Sequence, residues 1–352
     1  MERADKPTLR LAIGLGIAVL VAYGLALPLP FVVCVMAVFV LSKPGPPLPL
    51  AKGAVVALLL ALLVAAGVLM VPLLENYAAA GVLLTSAILY AVFYTGLRRA
   101  NPLTMVLVIS FAIIPVAGVA DQALAGRLSL TLAAGVVTGT LTNVLSHGLF
   151  PDPPSTPGEQ TGPRSLDAET ARWVAFRATL IVMPVFVLAL TDPSLYLAAI
   201  LKTVALSQQA GETNARSAGQ ELVGSTLMGA LIGACVWVGL SLLPNLWMLT
   251  LWLMAAALWT GSGMYRVRAT RFRPSFWSNV LITALVLVGP AIEDSASGKS
   301  VLEASVVRTG LFVGVALYTW ATLWVFERWR ARAGLSSCGP RSGAVMAPSR
   351  RG

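Results

Sequence analysis

Long apolar runs dominate the chain between residues 9 and 326, and short polar stretches separate them. We distinguish six apolar segments before a polar linker and six after it. They fall at residues 9–27, 29–42, 53–74, 77–97, 102–119 and 128–149, and then at 172–191, 193–207, 221–243, 245–262, 275–292 and 301–326. Most have the roughly 20 residues that a helix needs to cross a bilayer. Because the runs are continuously apolar, without alternation of period two, they predict membrane helices and exclude a barrel.

Two segments, 29–42 and 193–207, are short for a membrane span, so the count is twelve if they cross and ten if they are re-entrant. The positive charges favour twelve. With every segment crossing, one side receives Arg3, Lys6, Arg10, Lys43, Lys52, Arg98, Arg99, Arg164, Arg172, Arg216, Arg266, Arg268, Arg271, Arg273, Arg328, Arg330 and Arg332. The other side receives little beyond Arg127 and Lys299. Since loop lysines and arginines set orientation, both termini are predicted to be cytoplasmic.

The two halves of the chain resemble each other. "LPLPFVVCVMAVFVLS" (27–42) aligns with "DPSLYLAAILKTVALS" (192–207), and the segment 98–115 matches 271–290, with an arginine-rich start and two prolines in each. Six segments per half is an even number, so the sequence predicts an all-α, polytopic helical membrane protein built from two parallel repeats. We place the first membrane repeat at 1–150, a cytoplasmic linker at 151–170, the second membrane repeat at 171–332 and a disordered cytoplasmic tail at 333–352.

Composition removes several classes of function. Hydrophobic residues make up 57% of the chain, charged residues 11%, and the mean hydropathy is +0.81, which excludes a soluble globular domain. The net charge of +10 fits basic loops facing anionic lipid, so no nucleic-acid partner is expected. Three scattered cysteines and one histidine suggest no metal site and no cofactor. Phosphate-loop, zinc-protease and serine-hydrolase motifs are missing from the sequence, so we expect no catalytic residues.

Lys202 lies inside the apolar segment 193–207. An ionisable residue within a membrane segment is costly and indicates function by default. Snorkelling of the side chain to the headgroups is the competing interpretation, because the segment is short. The aligned residue in the first repeat is Ala37, so the charge is not a shared structural requirement. Gln208 and Gln209 follow at the cytoplasmic mouth, where amides can orient a carboxylate or a phenol; a solvated loop is the alternative.

A second candidate region is "RATRFRPSFWSN" (268–279). Arg273 stands just before a helix that opens with proline, where guanidinium and helix terminus both favour a carboxylate. Trp277 offers a flat apolar face, and Asn279 lies one turn inside, where polar side chains usually face the bundle. Arginines kept for topology and an interfacial tryptophan are the plainer explanation. The predicted substrate-binding residues are Lys202, Gln208, Gln209, Arg273, Trp277 and Asn279.

Three acids are candidates for proton coupling. Glu293 and Asp294 follow a Gly-Pro pair at the outer end of a span, and Asp121 lies in the corresponding outer loop of the first half. A proton-coupled exporter needs carboxylates that titrate on the external side. Each of the three is also explained as an ordinary solvated acid.

The stretches "LALTDPSLYLAAILKTVALSQQ", "FRPSFWSNVLITALVLVGPAIEDSASGKS" and "RTGLFVGVALYTWATLWVFERWRAR" resemble the fusaric-acid-resistance-like (FUSC) superfamily. The similar branch is short, of unknown function and often encoded beside HlyD-type membrane-fusion proteins, and the superfamily includes aromatic acid exporters. The resemblance covers about residues 8–332. It implies proton-powered efflux of small, often aromatic, organic acids across the bacterial inner membrane, with transfer to a periplasmic HlyD-type adaptor.

The sequence therefore leads to a main hypothesis and two alternatives. The main hypothesis is a proton-coupled exporter of small amphipathic organic acids and not an enzyme. The first alternative is a non-transporting scaffold that anchors an adaptor or envelope complex. A membrane enzyme acting on lipids ranks last, because the acids are scattered. Membrane lipid is an expected partner, and assembly with further copies of the chain stays open.

Overall fold

The computed structural model describes residues 5–42, 69–99, 104–151, 166–212, 215–298 and 300–332, without the side chains of 194–195, 208–212, 215–218 and 330–331. Within these ranges the chain forms twelve α-helices and no strand. The first six are α1 (Asp5–Gly24), α2 (Pro30–Leu41), α3 (Met70–Asn76), α4 (Ala78–Arg99), α5 (Thr104–Ala120) and α6 (Gln122–Leu149). The others are α7 (Ala168–Thr191), α8 (Pro193–Glu212), α9 (Ala215–Leu242), α10 (Leu246–Met264), α11 (Pro274–Ala296) and α12 (Val301–Arg332).

Eight of the described helices, namely α1, α4, α6, α7, α9, α10, α11 and α12, are long and apolar enough to cross a membrane. The chain is therefore a polytopic helical membrane protein, which confirms the predicted fold class. Three further apolar helical stretches are shorter: α2, α5 and the Tyr196–Ser207 part of α8. With 12 residues, α2 is about 18 Å long, well below the thickness of a hydrocarbon core. Most of the predicted segment 53–74 lies outside the described residues.

The short helices lie inside the bundle, and most of the long ones lie around it. Ten of the 12 residues of α2 are buried. Along α11, 83% of the most apolar stretch is buried, against 17% for α12. Exposed Leu302, Val306 and Trp324 on α12 would be unfavourable in water but suit contact with lipid chains. Burial thus separates an inner group of helices from a lipid-facing outer group.

Helix neighbours follow the order that two related halves would produce. Helix α1 packs against α10, and α4 packs against α7. Likewise α2 packs against α6 and α8 against α12, while α2 meets α11 and α5 meets α8. If α1–α6 are replaced in order by α7–α12 and the reverse, the α1–α10 contact becomes α7–α4, α2–α6 becomes α8–α12, and α2–α11 becomes α8–α5. Two repeats of six helices would give such matching contacts. The boundaries proposed for them stay a prediction, since most of the linker 151–170 and all of the tail 333–352 lie outside the described residues.

Glycines allow two pairs of helices to approach closely. On α6, a Cβ at Gly139 would lie 3.0 Å from the Cα of Ala37 on α2. On α9, a Cβ at Gly229 would lie 2.5 Å from the Cβ of Thr283 on α11. Gly139 and Gly229 each belong to a pair of glycines four residues apart, a spacing common at membrane helix interfaces. The second contact brings α9 against α11 where polar side chains gather.

Candidate functional site

Lys202 is the tenth residue of α8, and its side chain is fully buried. Its Nζ donates hydrogen bonds to Asn279 Oδ1, at 2.9 Å, and to Thr283 Oγ1, both on α11. The side chain therefore turns inward, toward another helix of the bundle. The structure does not have the snorkelling arrangement, in which the ammonium would reach the headgroups.

The hydrogen bonds around Lys202 run in one direction. Asn279 Nδ2 donates to Ser225 Oγ on α9 at 2.6 Å, and Ser225 Oγ donates to the carbonyl of Leu222 at 3.1 Å. Thr283 Oγ1 donates to the carbonyl of Asn279 at 2.6 Å. Asn279 and Thr283 thus direct their hydrogens away from Lys202, and each presents an oxygen to it. Because the Ser225 hydrogen is directed to the Leu222 carbonyl, Ser225 Oγ accepts from Asn279, and this contact determines the orientation of the Asn279 amide.

We call Lys202, Ser225, Asn279 and Thr283 the Lys202 cluster. Asn279 and Thr283 are four residues apart on α11 and share one face of that helix. Ser225 comes from α9, which Gly229 allows to lie close to α11. All four residues are buried. Three helices therefore contribute to a polar site inside an otherwise apolar bundle.

The oxygens that accept hydrogen bonds from Lys202 belong to an amide and a hydroxyl, and neither carries a charge. Charged groups lie nearer to the start of α11. Arg273, the N-cap of that helix, stands 3.9 Å from Glu221 of α9, measured from Nε to Oε1. Glu221 is one helical turn before Ser225, and its side chain is only 9% exposed, whereas that of Arg273 is 41% exposed. Polar groups thus extend from a partly exposed helix end to the buried lysine.

Trp277 is separate from the cluster. It lies two residues before Asn279, so the two side chains leave α11 on different faces. The Trp277 ring is buried edge-to-face against Trp259 of α10, with ring centroids 5.1 Å apart. The guanidinium of Arg268 lies over both rings, at 4.7 Å and 5.1 Å from their centroids. This aromatic and cationic contact accounts for Trp277 through the packing of α10 against α11.

Gln208 and Gln209 belong to α8, whose backbone stays helical as far as Glu212. The solvated-loop interpretation of this stretch is therefore wrong in its conformation. Their side chains lie outside the described residues, so their predicted contact with a substrate stays a prediction.

The three acids have different surroundings. Asp121 is the N-cap of α6: it accepts a hydrogen bond from the backbone of Ala123 at 2.9 Å and lies 3.5 Å from Arg127. Asp294 is buried and forms an ion pair with Arg308 of α12. Glu293 is exposed. Asp294 follows Thr283 by 11 residues, about 16 Å along α11, so this acid and the Lys202 cluster are at different depths.

Sequence reasoning identified Lys202 and Asn279 but missed the other members of the cluster. Thr283 had a usable signal, because it follows Asn279 by one helical turn on a helix with few other polar residues. Ser225 gave no such signal: it lies 54 residues before Asn279, on another helix. Among the described residues, no three His, Cys, Asp or Glu side chains form a group that could hold a metal ion.

Comparison with known proteins reaches only the first part of the chain. Residues 7–145 match the model of a family described as "Protein of unknown function (DUF2955)". No curated protein and no solved structure matches the chain. The matched region extends from α1 into α6 and contains none of α8, α9 or α11. What can be said of the Lys202 cluster therefore depends on its own geometry.

Proposed function

We propose that the chain is an inner-membrane exporter of small amphipathic, often aromatic, organic acids, coupled to protons. The observation that carries this proposal is Lys202, a buried basic side chain held by neutral hydrogen-bond acceptors inside a membrane bundle. A buried ammonium without a carboxylate partner is unfavourable, and an incoming anion would relieve that cost. A purely structural role would be served better by an apolar residue, as at Ala37.

An aromatic carboxylate suits the surroundings of the site. Its charged end needs a donor such as Lys202, and its ring needs apolar walls, which the inner helices supply. In our proposal Asn279 orients the carboxylate, and Arg273, Gln208 and Gln209 attract it from the cytoplasmic side. Trp277 supports the site through the packing of α11. Glu293, Asp294 and Asp121 remain the proposed proton-coupling residues at the other membrane face.

The resemblance to the fusaric-acid-resistance-like superfamily supports efflux as the direction of transport. The matched family of unknown function is consistent with such a membrane protein and adds no substrate. From the resemblance we propose a periplasmic HlyD-type membrane-fusion protein as partner. From the distribution of arginines and lysines we propose that both termini are cytoplasmic.

The test is retention of an aromatic acid by cells. A strain that lacks the chain receives the wild type, Lys202→Met or Lys6→Met, each with the adaptor, and is loaded with labelled benzoate. Lys6 is the matched control, because it is a lysine whose Nζ binds the exposed end of the bundle, at Pro151 O. We expect rapid benzoate efflux with the wild type and with Lys6→Met, and slow efflux with Lys202→Met. Equal efflux from all three strains would contradict the proposed role of Lys202.

A non-transporting scaffold gives a different result in the same strains. In that case Lys202→Met would preserve the adaptor complex and every measurable phenotype, and no organic acid in a broad panel would be retained by cells that lack the chain. The matched control would again be silent, so the comparison between the two lysine variants separates transport from anchoring.

A further inference from the structure

We propose that Lys202 takes up a proton and the organic anion together, so that one proton moves with each anion and in the same direction. This inference rests on the proposed function and specifies the sign of its proton coupling.

The hydrogen-bond geometry of Lys202 fits a neutral amine. Lys202 Nζ has two acceptors among the described residues, Asn279 Oδ1 and Thr283 Oγ1. A neutral amine has two N–H groups, which these oxygens satisfy, whereas an ammonium has a third. That third N–H would be buried without an acceptor among the described residues, which is unfavourable for a charged group. A bound carboxylate supplies both the missing acceptor and the opposite charge.

Charged groups on neighbouring helices do not substitute for that anion. Helix α8 packs against α5, α7, α9, α11 and α12. Their titratable and charged side chains in the described ranges are Glu169, Arg172 and Arg177 on α7, Glu221 and Cys235 on α9, Glu293 and Asp294 on α11, and Glu303, Arg308, Tyr318, Glu327, Arg328 and Arg332 on α12; helix α5 has none.

The acids in this set have other partners or positions. Glu221 faces Arg273, and Asp294 faces Arg308. Glu169, Glu293 and Glu303 are exposed, and Glu327 lies near the end of α12. The Tyr318 hydroxyl donates to the carbonyl of Leu180. The acceptors that surround Lys202 therefore favour the uncharged lysine.

The binding step balances in protons. The carboxylic acid R–COOH gives its proton to the lone pair of Lys202 Nζ, or the carboxylate binds while Nζ takes a proton from a buffer acid in the solvent, which becomes its conjugate base. In both cases an R–COO⁻ anion lies beside an ammonium, and release on the far side returns the proton with the anion. Since linkage is reciprocal, the proton favours the anion as much as the anion favours the proton.

The sign of this linkage has an energetic consequence. Proton and anion leave together, so the step at Lys202 is electroneutral and the membrane potential does not drive it. An inward proton gradient opposes it. Export driven by that gradient needs a second proton site with the opposite linkage, and the Asp294–Arg308 pair, about 16 Å from Thr283 along α11, is the acid–base pair that the structure offers there.

Calorimetric titration tests the linkage on the purified full chain in nanodiscs, with benzoate as the probe. Titrations in buffers of different ionisation enthalpy give the number of protons taken up on binding. We expect about one proton per benzoate for the wild type, because the neutral amine must be protonated. We expect none for Lys202→Arg, because a guanidinium keeps its charge.

The outcomes separate the two proposals. Benzoate binding without proton uptake by the wild type would overturn the linkage and leave the exporter intact. One proton taken up by Lys202→Arg would also overturn it, since another group would then be the carrier. If neither benzoate nor any related carboxylate binds, the proposed function fails, and the linkage fails with it.

A second measurement does not depend on the variant or on the ligand. The Cε and Nζ chemical shifts of Lys202 in the ligand-free wild type distinguish an amine from an ammonium. We expect the amine at neutral pH. An ammonium signal would overturn the proposal even if Lys202→Arg does not fold.

Discussion

Helices α2 and α8 occupy comparable places in the two halves of the chain and have opposite chemistry. Both are inner helices with short apolar stretches, and each packs across the middle of the bundle, α2 on α11 and α8 on α5. Helix α2 has apolar side chains throughout Pro30–Leu41, and Ala37 lies against Gly139 of α6. At the aligned position α8 has Lys202, with oxygens of α11 around it.

The difference shows that Lys202 and the oxygens that accept its hydrogen bonds occur together in one half of the bundle. An inner helix can pack without a charge, as α2 does, so Lys202 is not required by the architecture. The hydroxyl groups of α5 and α11 differ in the same way. Ser110 on α5 donates to the carbonyl of Val106 in its own helix. Thr283 on α11 donates to the carbonyl of Asn279 in its own helix and also accepts a hydrogen bond from Lys202. One half of the bundle is thus a plain apolar support, and the other half contains a polar site that the support holds in place.

The largest effect is expected when α2 receives a lysine at the position that aligns with Lys202 of α8. Ala37→Lys places an ammonium at a fully buried position of α2 that lies close to Gly139 of α6. A charge at such a depth costs about 3 kcal/mol on insertion scales, and overpacking adds to it. We expect little monodisperse protein by size-exclusion chromatography and a large drop in Tm. Ala37→Met is the matched control, because it adds similar volume without charge; equal losses in the two variants would contradict the electrostatic part of the argument.

The next test changes an acceptor and keeps the lysine. Asn279→Asp places a carboxylate 2.9 Å from Lys202 Nζ and supplies internally the anion that a substrate would bring. Because an internal ion pair competes with the ligand, we expect benzoate affinity to fall about tenfold or more, the equivalent of one charge-assisted hydrogen bond. Proton uptake on binding should fall with it.

Asn245→Asp is the matched control for that change. Asn245 is the N-cap of α10 and accepts from the backbone of Met248 at 2.8 Å, a role that aspartate fills equally well. Its benzoate affinity should equal that of the wild type. If Asn279→Asp binds benzoate as tightly as Asn245→Asp does, the Lys202 cluster is not the anion site.

The sequence was sufficient for the fold class and for part of the site. Hydropathy identifies membrane helices because lipid leaves few other structures possible, and a charge within an apolar run is visible without coordinates. Hydropathy does not identify which helices are inner, because α2 and α12 are both apolar, and burial alone separates them.

Partners across the bundle were harder to predict. Lys202 and Asn279 could be singled out one at a time, but their contact joins residues 77 positions apart. Trp277, two residues from Asn279, looked equally suitable, yet helical geometry turns it toward α10. Pairing of this kind depends on helix rotation and packing, which composition and spacing do not determine.

The glycine contacts provide a finer test of the two halves. Gly229→Ala would place a Cβ 2.5 Å from Thr283 Cβ, and Gly139→Ala would place one 3.0 Å from Ala37 Cα. Each variant should lose about 1–2 kcal/mol of stability, because overpacking outweighs the gain in helix propensity. Only Gly229→Ala should also weaken benzoate binding, since it shifts the helix that carries Asn279 and Thr283. Equal effects of the two variants on binding would contradict the division between support and site.

The smallest expected effect is that of Lys202→Met on stability, measured as Tm from tryptophan fluorescence without ligand. Methionine is unbranched like lysine and one atom shorter, and it gives α8 an apolar residue at this position, as in α2. The change leaves Asn279 Oδ1 and Thr283 Oγ1 without their donor, which is unfavourable, but it also removes a buried polar group, which is favourable. The two terms are similar, so Tm should change less than it does in Gly229→Ala. A larger fall would show that α8 needs its lysine for folding, and Lys202 would then belong to the support rather than to the site.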